Sequence, residues 1–255
     1  MIGDRASRVR GDGFRAIRVR ARMRGPIRLA LCLAACLSWR PSAAGPAEPA
    51  PAETEWGVIE GVLALVSSPP GRVHVNAYPG MAHGAQNEKP EGGPAALMSE
   101  TVLYLQHVSA PFHASAPPNP ELAQADMSFV PRVLPILAGQ TVGFPNKDPF
   151  YHNVFSYSST ERFDLGRYPS PESRRITFDE PGEVRVFCDI HSDMNAVILV
   201  LQNPYFTMPR EDGRFRLSGV PEGRYTLVIW HPDLEEKRTE VAVDNGATVR
   251  LDLEL

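Results

Sequence analysis

The sequence is poor in cysteine. It has three in 255 residues: Cys32 and Cys36 near the start and Cys188 far along the chain. Three thiols so placed exclude the disulfide framework that staples small secreted domains. No apolar run reaches the roughly 18 residues of a membrane-spanning helix, which excludes a multi-span transporter. No Gly-x-Ser-x-Gly, phosphate-binding glycine loop or dinucleotide fingerprint occurs, and the paired Cys or His residues of a zinc finger are absent. Proline and glycine, by contrast, are plentiful: 25 and 20 residues, in many short clusters. That punctuation predicts many turns between short strands rather than long helices. With 43% hydrophobic and 22% charged residues the chain can bury a core, so wholesale disorder is excluded.

Charge divides the chain in two. Residues 1–44 hold ten Arg and two Asp, whereas the remainder carries 16 Lys and Arg against 28 Asp and Glu, a net charge of −12. The basic start (Arg15, Arg18, Arg20, Arg22, Arg24, Arg28) is followed by an apolar run at 29–39 and by the small residues Ser42, Ala43 and Ala44. A charged region, an apolar region and a cleavage site in that order predict a signal peptide over 1–44, with Met23 as an alternative start. Leu33-Ala34-Ala35-Cys36 also resembles a bacterial lipobox. Two fates therefore stand open: a periplasmic or extracellular protein, or a membrane-anchored lipoprotein held at Cys36. Residues 45–56, rich in Pro, Ala and Glu, read as a linker. The acidic remainder argues against nucleic acid as a partner and would steer a basic protein toward the chain.

Beyond the signal only Cys188 remains. A lone thiol in an oxidising compartment is oxidised, paired between chains, buried or ligated. Its neighbours favour ligation: Cys188, His191 and Met194 recur at every third residue where a strand runs into a loop. Thiolate and thioether are soft donors and imidazole suits copper, so the set favours copper over magnesium or calcium. A His₂Cys trigonal site with a weak axial Met needs a second imidazole. His152 is the best candidate, since it follows a strand over 140–144 and a turn and opens another strand. His74, His83, His107, His113 and His231 are scattered without pairing and read as ordinary surface or core histidines.

Residues 126–202 resemble a cupredoxin, or blue copper domain. The resemblance rests on Phe129-Val130-Pro131, Ala138-Gly139-Gln140-Thr141-Val142, the stretch from Asn146-Lys147-Asp148 to His152-Asn153-Val154, Pro181-Gly182, and the Cys188/His191/Met194 loop. The short Cys-x-x-His-x-x-Met loop is similar to that of amicyanin-like members. The region of Phe163-Asp164-Leu165-Gly166 also resembles proteins labelled plastocyanin-like or methylamine utilization proteins. The resemblance implies one type 1 copper, with His152, Cys188 and His191 as equatorial ligands and Met194 as the weak axial one. It implies that Asn153 hydrogen-bonds across to the Cys188 loop and stiffens the site. The implied function is transfer of single electrons between redox partners, leaving through the ring of His191, with no catalytic residues and no enzymatic activity. Ser192 and Asp193 stand where many cupredoxins carry Pro and an aromatic residue, so a polar or basic redox partner is expected. One cysteine is too few for a binuclear copper centre, and no His-x-His pair of a multicopper oxidase occurs. The rival readings are a cell-envelope binding module with a vestigial or structural copper site, and a carrier of copper ions.

Residues 203–255 resemble a carboxypeptidase-regulatory-like (transthyretin-like) β-sandwich, through the Gly turns and alternation of Asp212 to Leu217 and Val220 to Trp230. The start at Gly57-Val58-Ile59-Glu60-Gly61-Val62 resembles that family's first strand, and Thr101 to Leu105 a later one. The expected fold class is all-β: a cupredoxin Greek-key sandwich plus this second sandwich segment. Residues 57–125 read as an N-terminal β region with long surface loops at 79–100 and 108–125. Two organisations fit. The second sandwich is split, with the cupredoxin inserted between residues 107 and 203, or the early strands complete the cupredoxin and 203–255 is appended.

Overall fold

The computed structural model describes residues 56–65, 93–108 and 119–255. The expected signal peptide, the lipobox Cys36 and nearly all of the expected linker lie outside these residues, as do His74, His83 and His113. The described chain is all-β apart from one short helix. In order, it runs β1 (Gly57–Ala64), α1 (Pro94–Glu100), β2 (Val102–Gln106), β3 (Ala123–Ala125), β4 (Ser128–Val130), β5 (Val133–Leu137), β6 (Gln140–Pro145), β7 (His152–Tyr157) and β8 (Arg162–Tyr168). It continues with β9 (Ser173–Phe178), β10 (Gly182–Phe187), β11 (Asn195–Leu201), β12 (Phe206–Thr207), β13 (Arg214–Val220), β14 (Gly223–Trp230), β15 (Lys237–Val243) and β16 (Thr248–Glu254).

The strand pairing is that of a split sandwich. β1 lies between β13, antiparallel, and β16, parallel, while β2 lies between β12 and β14, with β15 beyond. These two sheets enclose one core, which includes Ile59 and Leu63 of β1, Leu103 and Leu105 of β2, and Leu227 and Ile229 of β14. β3 to β11 form a second sandwich between β2 and β12 in the chain. Its five-stranded sheet, in the order β5-β11-β10-β7-β8, packs on the β6–β9 pair around Val142, Phe144, Phe178, Val184 and Ile198. The inserted chain leaves and returns at one point, where the Asn203 carboxamide donates to the Leu105 carbonyl at 2.8 Å.

Two stretches expected as loops carry structure. The Pro and Ala of 79–100 suggested a loop, but Pro94 opens α1, where its fixed φ suits the first turn, and Ala-Ala-Leu-Met are good helix formers. Met98 is buried in the first core. The 108–125 segment ends as strand: Ala123–Ala125 pairs with Ser128–Val130, and Leu122 is fully buried in the second core. The sequence boundary at 125/126 thus falls within the β3–β4 hairpin.

Side chains alternate across a strand, so a strand with one wet face reads apolar–polar. β11 does not alternate, since both of its faces are covered. Ala196, Ile198 and Val200 enter the second core, while Val197, Leu199 and Leu201 join a third cluster with Val102, Val133, Val228 and Trp230. β14 does the same on the other side, with Leu227 and Ile229 in the first core and Val228 and Trp230 in the third cluster. This cluster is the wall the two sandwiches share. Each side chain fully buried there contributes about 1.5–3 kcal/mol. Arg132 clamps its edge, bonding Glu100 at 2.6 Å and Asp233 at 2.9 Å. Among the described residues, no helix is long and apolar enough to cross a membrane.

Candidate metal centre

The β10–β11 hairpin closes with Phe187 opposite Asn195, leaving Cys188–Met194 as its loop. Two backbone bonds tighten that loop: the Cys188 N–H donates to the Met194 carbonyl at 3.2 Å, and the Met194 N–H to the His191 carbonyl at 3.1 Å. Cys188 is a buried free thiol. The neighbouring strand β7 meets β10 with Phe155 opposite Phe187, which brings His152, at the start of β7, alongside the loop.

His152, Cys188 and His191 come together as a group arranged for a metal ion. The Cys188 Sγ lies 3.8 Å from Nδ1 of each histidine, and the two Nδ1 atoms are 3.1 Å apart. A point equidistant from all three donors lies about 2.1 Å from each, close to metal–imidazole (about 2.0–2.1 Å) and metal–thiolate (about 2.3 Å) bond lengths. Three electron-pair donors converging on one such point fit a cation. His152 is fully buried and His191 half-buried, so the second ring is the one nearer solvent. Met194 is buried in the second core at the foot of the loop, beside the Cys188 end of the sandwich.

The surroundings hold these donors in place. The Asn153 carboxamide accepts the Asp189 N–H at 2.8 Å and donates to the Asp164 carboxylate at 3.2 Å, linking β7, β8 and the Cys188 loop. Arg167 pairs with Asp189 at 2.8 Å on the rim. The ring of Phe150 lies 5.1 Å from that of His152 and 5.7 Å from that of His191, covering both. Beneath the site Tyr168 is fully buried, with its hydroxyl bonded to the Phe144 carbonyl at 2.8 Å. Burial, with a smaller push from Cys188, raises its pKa to about 12 against the opposing pull of Gln124 and Arg174.

Two contributors escape sequence reasoning. Asp148 is buried, with Oδ2 2.7 Å from His152 Nε2. Burial pushes its carboxyl up, but the Met127 N–H, the His152 ring and the Asp126 N–H together outweigh that and hold its pKa below the usual Asp value. The signal was a carboxylate four residues before the histidine, hidden in an Asn-Lys-Asp-Pro run that reads as a turn. The second contributor is apolar surface. Ser192 and Asp193 argue for a polar rim, yet Phe150, Tyr151, Ile190 and Met127 are all exposed near the site. Of the scattered histidines, His231 lies by Glu100, 3.6 Å away, at the joint between the sandwiches and not with this group.

Solved structures similar to this chain include a copper-containing nitrite reductase from Thermus scotoductus SA-01, at 31% identity and a TM-score of 0.32 over 38% of this chain and 25% of that one. Another is an amicyanin variant in its Cu(I) form, at 18% identity and a TM-score of 0.32 over 39% of this chain and 98% of that one. A third is a purple cupredoxin from Nitrosopumilus maritimus, at 19% identity and a TM-score of 0.30 over 32% of this chain and 100% of that one. The chain thus spans about a quarter of the nitrite reductase's length. No family model and no curated protein matches the sequence.

Proposed function

We propose that the protein is an exported electron carrier with one type 1 copper, held by His152, Cys188 and His191 with Met194 as a weak axial thioether. The observation that carries this is the triangle of two imidazole nitrogens and one sulfur, sized for a single metal ion. A thiolate among two imidazoles selects copper over hard cations. When bound, copper supplies one-electron chemistry between Cu(II) and Cu(I). The chain's own part is to hold the donors still. The hairpin bonds fix Cys188, the Asn153 bridge ties the loop to β7, and Phe150 shields the rings from water. A fixed donor set suits a carrier, because little has to rearrange when the charge changes.

Half-buried His191 is the route to a partner, and the exposed Phe150, Tyr151 and Ile190 beside it offer a docking surface. Arg167 and Asp189 add charge at the rim. Export rests on the basic, apolar and small-residue order of the first 44 residues. No catalytic group is required, and the protein is read as a carrier and not an enzyme.

Addition of Cu(II) to the purified protein is expected to give an intense blue band, a narrow copper hyperfine splitting and a reversible one-electron wave. Cys188→Ser is expected to abolish the sulfur-to-copper band while leaving the strand content intact. A colourless product that binds zinc as tightly as copper overturns the redox reading. A copper adduct that passes its ion quickly to a competing chelator favours copper delivery instead.

A further inference from the structure

The geometry points to Asp148 as the positioning residue of the centre: a buried carboxylate that dictates which nitrogen of His152 faces the donor group and ties that ring to the β3–β4 turn. This rests on the metal-site reading above. An imidazole presents a lone pair at one nitrogen only when its proton sits on the other, and the partner of that other nitrogen decides the matter. Here the partner is a carboxyl oxygen 2.7 Å from Nε2, and both oxygens of that carboxyl already accept backbone N–H groups. Nε2 therefore carries the proton, and the Nδ1 lone pair is aimed at the side where Cys188 Sγ and His191 Nδ1 lie.

The carboxylate is itself fixed at every atom. Oδ1 accepts the Asp126 N–H at 2.7 Å, and Oδ2 accepts the Met127 N–H at 3.0 Å. The Asp148 N–H donates to the Asn146 side-chain oxygen at 2.9 Å. Asn146 in turn donates to the Phe150 and Tyr168 carbonyls at 2.8 and 3.0 Å. Asp126 and Met127 sit at φ of 52° and 56°, a left-handed conformation uncommon for residues with a Cβ. One carboxylate thus collects the N–H groups of that turn and the N–H of a metal-facing histidine. An Asn at 148 matches the shape but replaces an acceptor with a donor. If its NH₂ faces Oδ1's place it meets the Asp126 N–H. If it faces Oδ2's place it meets the Met127 N–H and drives the His152 proton to Nδ1, where the metal belongs.

The test has two independent readouts at pH 8. Long-range ¹H–¹⁵N NMR of the metal-free wild-type chain is expected to find His152 wholly as the Nε2–H tautomer. Titration with Co(II) is expected to give a Kd about 10–100-fold weaker in Asp148→Asn and Asp148→Ala than in wild type, with His152 of mixed tautomer in the Asn variant. A wild-type His152 found as Nδ1–H or as a mixture overturns the inference, and so does a Kd unchanged in the folded variants. Either result leaves the metal centre standing. Wild-type protein that does not take up Co(II) overturns the centre itself and the inference with it. Should both variants fail to fold, the wild-type tautomer decides alone.

Discussion

The two sandwiches treat buried polarity in opposite ways. The first core is lined mainly by Ile, Leu, Val and aromatic side chains; Thr101 and Asn203 beside it serve backbone carbonyls, and the buried Glu100 and His231 sit at the joint with the second sandwich. The second sandwich buries Gln124, Asn146, Asp148, His152, Asn153 and Ser156, most of them at the end that carries the donor group. Burying a polar group costs free energy unless every hydrogen-bonding site is met, and a network that meets them becomes rigid. The first sandwich therefore gains stability per residue from packing. The second gives up part of that gain to hold three donors at a fixed spacing. One is a frame and the other an instrument mounted on it, with β11 and β14 as the common wall.

That contrast can be broken by separating stability from metal affinity. Leu103→Ala, in the first core, is expected to lower stability by about 2–5 kcal/mol. Copper affinity of the folded fraction should stay at the wild-type value. Urea denaturation followed by copper titration checks both, and a parallel fall in affinity would mean that the frame tunes the instrument.

A smaller effect should come from pH. The Tyr168 pKa, about 12 in the fold, exceeds the ordinary value near 10. The unfolded chain therefore loses this proton first as pH rises. The contribution of Tyr168 is complete below about pH 10 and is lost progressively as pH rises through about 12, by roughly 3 kcal/mol in all. Denaturation midpoints of wild type and Tyr168→Phe should draw together across that window, with the Phe variant lacking this component of the alkaline loss.

The smallest effect is expected on the surface of the frame. Glu60 of β1 pairs with its register partners Arg216 of β13 and Arg250 of β16, the latter at 3.0 Å. All three are at least partly exposed, so Arg216→Ala should change stability by less than about 1 kcal/mol, and less again in high salt. A loss well above that by thermal denaturation would make the charged ladder a structural element of the split sheet.

The donor residues were legible because chemistry of that kind needs particular side chains at short spacing. Cys188 and His191 lie within four residues, and His152 follows an evident turn. Asp148 was not legible as a partner, because its role depends on the chain folding back on itself within Asn146–His152 and on a turn at Asp126 and Met127 that approaches from another strand. Phe150 and Ile190 read as ordinary apolar residues until the loops place them beside the rings. Strands were readable wherever one face is wet, as in Arg214–Val220 with its alternating burial. β11 and β14 hid their role, since a strand covered on both faces loses the period of two. Nor does any local pattern announce that β1 pairs with β16, so the sequence left both organisations open.

The hydrogen bond between Asn203 and Leu105 has a consequence for how the chain is made. Those residues are 98 positions apart, yet they touch. During synthesis β3 to β11 are all available before any of β12 to β16 exists, and half of their pairings, β3–β4, β7–β8 and β10–β11, are between neighbours in the chain. Glu60 must wait 190 residues for Arg250. Once the insert has folded, its two ends emerge side by side, and the host meets it as a tight connection and not as a long open loop. The entropy of closing the frame is then set by that short span, because closure depends on the free length between the ends. The guest that interrupts its host also brings the host's halves together.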